Sequence, residues 1–82
     1  MTLFVANVHY DADEAEVRAL FAAIGPLKRF TLIKTDGRLR GYGFVEYQDE
    51  LDALRAIDDL HRQPFMSRGL IVQEAQGGPR QR

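Results

Sequence analysis

With 82 residues, 45% of them hydrophobic and 28% charged, the chain has the size and composition of one small globular domain rather than a multidomain enzyme. It contains no cysteine, which excludes disulfides, thiolate metal sites and cysteine nucleophiles. No apolar run approaches the roughly 20 residues of a membrane span, and the first residues do not read as a signal peptide. The formal net charge of −1 moves any affinity for a polyanion from the total charge to its distribution.

Thr2 to Val8 alternates as a first strand, with Leu3 and Val5 on one side and Phe4 and Ala6 on the other. His9 to Ala12 is a loop, and Asp11 or Asp13 caps the helix that follows. Val17, Leu20, Phe21 and Ile24 recur at helical spacing as one apolar stripe, and Gly25-Pro26 stops the helix. Tyr10 is expected to pack beside it. Leu27 to Lys34 is a second strand in which Phe30 and Leu32 alternate with Thr31 and Ile33. Asp36-Gly37 predicts a tight hairpin into a third strand, Arg40 to Tyr47. Asp49 caps a second helix whose inward stripe is Ala53, Ala56, Ile57 and Leu60. Pro64 and Gly69 punctuate an irregular loop, where Met66 is expected to fill core space. Leu70 to Glu74 is the last strand. The domain thus spans 1–76, and 77–82 reads as a flexible Gly/Pro/Arg tail with nothing to bury.

The order βαββαβ predicts an α+β, ferredoxin-like fold: a four-stranded antiparallel sheet with two helices on one face. Each helix has one apolar stripe, so only one sheet face is covered. Leu3, Val5, Phe30, Leu32, Val45, Tyr47, Leu70 and Val72 fill that face. Phe4, Thr31, Ile33, Arg40, Tyr42, Phe44, Ile71 and Gln73 then face outward. An uncovered patch with three aromatics marks an interaction site. Acids concentrate on or beside the helices and cations on strands and loops, which predicts an acidic helix side and a basic sheet rim. Lys34, Arg38 and Arg68 lie on that rim.

Arg40-Gly41-Tyr42-Gly43-Phe44-Val45-Glu46-Tyr47 matches the octapeptide of the RNA-recognition motif (RRM) at every defined position. Leu3-Phe4-Val5-Ala6-Asn7-Val8 fits the hexapeptide that the family carries on its first strand. The chain resembles an RRM from Thr2 to about Gln76. Less specifically it resembles the RRM of a cleavage stimulation factor subunit, and the exon-junction RRM subunit that pairs with mago nashi, although Phe44 departs from the latter. Arg62 stands where the family usually has Gly after the second helix, which puts that turn in question. Ala6 also replaces a common Gly.

The resemblance implies single-stranded RNA as partner. Phe4 and Tyr42 would stack on successive bases, Phe44 would lie against the sugars and Arg40 would meet a phosphate. Gln73, Ala75 and Gln76 would read base edges as the chain leaves the last strand. Asn7 would either touch a base or bond within a turn, and Thr31 and Ile33 flank the rings. No cofactor, metal or membrane is implied, and a monomeric domain in the nucleus or another intracellular RNA-containing compartment is expected. His9 and His61 have no companion at ligand spacing. An alternative is a protein-binding RRM-type domain, whose sheet or helical face docks a partner. An enzyme is the third reading, since acylphosphatases share the topology. They need a Gly-rich loop with an Arg after the first strand, whereas Val8 to Asp13 has no Gly and carries two acids.

Overall fold

The computed structural model describes residues 1–75. The chain runs β1 (Thr2–Ala6), α1 (Glu14–Ala22), β2 (Leu27–Thr35), β3 (Arg38–Tyr47), α2 (Glu50–Leu60), β4 (Pro64–Phe65), β5 (Arg68–Gly69) and β6 (Ile71–Glu74). An aspartate sets the start of each helix. Asp13 and Asp49 sit in extended backbone, and their carboxylates accept from the N–H of Ala15 and Leu51, each at 3.0 Å. Asp11 is not the cap; its N–H donates to Nδ1 of His9 at 3.0 Å.

The main sheet has the order β2-β3-β1-β6, antiparallel throughout. Asp36 and Gly37 take φ of 54° and 79° and form the expected two-residue turn between β2 and β3. That pairing shifts register between Leu27 and Arg29 and again between Leu32 and Lys34, beside Ile33. The covered face carries the core: Leu3, Val5, Val45, Leu70 and Val72 are fully buried there, against Val17 and Phe21 of α1 and Ala53 and Ala56 of α2. Burying side chains of this size contributes about 1.5–3 kcal/mol each. Tyr47 joins them and donates its hydroxyl to the Phe21 carbonyl at 2.6 Å, satisfying an oxygen in the last turn of α1. Burial, and secondarily the Asp52 carboxylate, pushes its phenol well above the usual tyrosine range.

The segment between α2 and β6 departs from the expected irregular loop. Pro64–Phe65 and Arg68–Gly69 pair as a small separate hairpin. Met66 and Ser67 form its turn at φ of 53° and 71°. Neither residue type announces such a turn, which is why the sequence pattern missed it. Met66 consequently stands 44% exposed at the hairpin tip instead of filling the core. Arg62 takes φ of 70°, the left-handed conformation a Gly would adopt there, and its N–H donates to the Leu70 carbonyl at 2.6 Å. The turn therefore survives the missing glycine.

Candidate nucleic-acid interface

The sheet order lines up one residue from each strand into a row across the uncovered face. Thr31 of β2 is the cross-strand partner of Phe44 of β3, Phe44 of Phe4 in β1, and Phe4 of Gln73 in β6. Tyr42 stands two residues along from Phe44 on the same face. The Phe4 ring lies 5.8 Å from the Phe44 centroid and 6.1 Å from that of Tyr42, tilted to both. Phe4 is half-buried by these neighbours, while Tyr42 and Phe44 are each 38% exposed and Ile71 is 37% exposed. The three rings thus form one contiguous aromatic surface, with the helices on the opposite face.

Gly43 lies between the two exposed rings for a packing reason. A Cβ there would collide with the Thr31 carbonyl and with Leu32. Its absence lets β2 approach β3 and holds Thr31 and Phe44 side by side.

The remaining candidates fall in different places. Arg40 is exposed and makes no ion pair among the described residues. Thr31 and Gln73 are exposed, and Ile33 is half-buried. Ala75 is half-buried, and its N–H donates to the Thr2 carbonyl at 2.8 Å. Gln76 and the tail 77–82 lie outside the described residues. Asn7 takes φ of 61° and is bonded within the chain at both ends of its amide. Its nitrogen donates to the Gly69 carbonyl at 2.9 Å, and its oxygen accepts from Arg68 at 3.1 Å. Of the rim cations, Lys34 pairs with Glu14 of α1 at 2.8 Å. Arg29 sits 3.9 Å from Glu46, the acid that shares the ring face.

Tyr10 does not pack beside α1. It is 63% exposed, and the Arg68 guanidinium lies over its ring at 5.5 Å from the centroid. Its ring edge lies close to Gly41 of β3, beside Tyr42. Sequence pattern missed this pair because 58 positions separate its members, and only the docking of the β4–β5 hairpin onto Asn7 brings them together. Nδ1 of His61 accepts from the Val72 N–H at 3.0 Å, a structural use of that side chain. Among the described residues no three His, Cys, Asp or Glu are grouped to hold a metal, and no helix is long and apolar enough to cross a membrane.

Known proteins are similar to this chain in sequence and fold. The family model for the RNA recognition motif matches residues 3–70. A putative RNA-binding protein, RbpA, from Synechocystis is 41% identical over 78 residues, covering 92% of this chain and 76% of that protein. Human cleavage stimulation factor subunit 2 is 38% identical over 76 residues, covering 90% of this chain but only 13% of that protein. Among solved structures, the Sxl-lethal protein/RNA complex superposes with a TM-score of 0.89 at 31% identity, covering 96% of this chain and 48% of that one. The family match spans both strands that carry the aromatic surface, so the chain belongs to the RNA recognition motif family of RNA-binding domains.

Proposed function

We propose that this domain binds single-stranded RNA by stacking bases on the sheet face, as a non-catalytic module of RNA processing or regulation. The observation that carries the reading is the contiguous Phe4–Tyr42–Phe44 surface on the one face that the helices leave open. Exposed rings beside polar Thr31 and Gln73 suit unstacked bases, which present a π-face and a hydrogen-bonding edge together. Phe4 and Tyr42 take successive bases and Phe44 lies against the sugars. Arg40, free of carboxylate partners among the described residues, meets a phosphate. Thr31 and Ile33 bound the track on one side. Gln73, with Ala75 and Gln76 beyond it, reads base edges on the other. Asn7 serves by holding Arg68 in place, and the Tyr10 ring under that guanidinium offers a further stacking surface at the end of the track. The similarity to cleavage stimulation factor subunit 2 supports a role in RNA processing. The similarity to RbpA supports the binding of RNA by a protein little longer than this chain.

The test is a titration of the chain with a pool of short degenerate single-stranded RNAs at low salt, followed by fluorescence anisotropy. Wild type binds, and Tyr42→Ala loses roughly 1–3 kcal/mol, the worth of one stacked base, with an unchanged circular dichroism spectrum. Absence of binding by wild type at low salt would sink the proposal.

A further inference from the structure

The core covers the apolar stripe of α1 unevenly. Val17 and Phe21 are buried, but Leu20 and Ile24 remain half-buried. These two line an open groove of about 640 Å3 on the helix side, facing Leu60 of α2 and Phe65 and Met66 of the β4–β5 hairpin. Three observations bear on its occupant. The charged residues in its lining are Glu16 and Asp59, both acids, and neither has an ion-pair partner among the described residues. The last turns of both α1 and α2 border the groove and carry no basic residue, so no cation within them offsets the negative ends of the two helix dipoles. Finally, the hairpin wall is built on Met66 and Ser67 in left-handed backbone, a costly conformation for such residues. That turn holds the adaptable Met66 thioether exposed at the groove edge.

We propose that this groove docks the apolar face of a cationic amphipathic helix from a protein partner, with its Lys or Arg residues against Glu16, Asp59 and the two helix ends. Helix-in-groove recognition supplies the geometry: aliphatic side chains at i and i+4 enter between Leu20, Ile24 and Met66. The same negative field repels RNA and anionic lipid, so the groove and the sheet divide their ligands by charge. The two sites lie on opposite layers of the domain and can be filled together.

The probe is a synthetic helical peptide with Leu at i and i+4 flanked by Lys, compared with the same peptide carrying Glu in place of Lys. Each is titrated into the isotope-labelled full chain and followed by NMR. The Lys peptide saturates and shifts the amides of Leu20, Ile24, Asp59 and Met66, while those of Phe4 and Tyr42 stay in place. The Glu peptide leaves all of them unmoved. The exposed double substitution Asp59→Lys and Met66→Lys weakens the Lys peptide about tenfold or more through like-charge contact, with RNA binding unchanged, and Tyr42→Ala leaves peptide affinity unchanged. The proposal is overturned if the Lys peptide fails to saturate, if its shifts map to the sheet, or if the double variant binds it as well as wild type. It is equally overturned if the groove amides shift with chain concentration alone, which would assign the groove to a second copy of the chain.

Discussion

At the scale of single residues, backbone conformation and one buried hydroxyl set the clearest expectations. Arg62 and Ser67 hold φ of 70° and 71°, where a β-carbon crowds the backbone at a cost of about 1–2 kcal/mol. Glycine relieves that strain but adds freedom to the unfolded chain, offsetting part of the gain. Arg62→Gly is therefore expected to raise stability by about 0.5–1 kcal/mol, seen as a higher urea midpoint at constant slope; a lower midpoint would mean that the Arg62 side chain contributes more than its strain costs. Tyr47 is the opposite case. Its hydroxyl is bonded to the Phe21 carbonyl in the core, and because that oxygen also accepts from the Ile24 N–H at 3.1 Å, Tyr47→Phe removes one bond without orphaning it and costs about 0.5–1.5 kcal/mol. Because burial, with Asp52 behind it, raises the phenol's folded pKa above its unfolded value near 10, its contribution is complete below that pH. It is lost as pH climbs above it, since the unfolded chain ionises first. Wild type should thus lose stability more steeply than Tyr47→Phe in chemical denaturation above about pH 10.

At the scale of elements, the row Thr31–Phe44–Phe4–Gln73 depends on how closely β2 and β3 approach. Gly43→Ala places a Cβ against the Thr31 carbonyl and the Leu32 backbone, atoms that cannot swing aside as a flexible side chain would. The expected cost is about 1–3 kcal/mol of stability. RNA affinity should fall with it, because the parting of the strands separates Thr31 from Phe44. Thermal denaturation and the RNA titration together check this; a variant as stable as wild type would show that the strands are free to move apart. Elements with local signals were legible in the chain: the capping aspartates, the Asp36-Gly37 turn and the alternation in β1 and β3. The β4–β5 hairpin was not, because Met66 and Ser67 adopt a glycine-like turn without glycine. The apolar stripe of α1 is plain in the sequence, yet its periodicity carries no information on how far Leu20 and Ile24 are covered.

At the scale of the molecule, charge divides the surface less cleanly than the sequence suggested. The acids do gather on the helix side, but Lys34 is tied to Glu14, and Glu46 shares the ring face near Arg29. With a net charge of −1, RNA affinity should rest on stacking more than on phosphate contacts. The log–log salt dependence is then expected at about −1 to −3, given roughly 0.7 per phosphate on a single strand. Arg40→Ala should flatten it by less than about one unit. A steeper slope in the titration would make the rim or tail arginines the main contacts.

The sequence by itself determined the periodic features of this protein. A period of two in β1 and β3 separates a core face from an aromatic face, and two one-sided helices can cover only one of them, so the outward position of Phe4, Tyr42 and Phe44 follows from the pattern alone. Tertiary structure alone decided the pairings between distant positions. Arg68 reaches Tyr10 and Asn7 only after the hairpin docks, and Leu20 and Ile24 form a groove wall only because Leu60, Phe65 and Met66 come to face them. The physical reason is that local pattern records which side of an element is apolar, whereas the meeting of two elements depends on the packing of the whole chain.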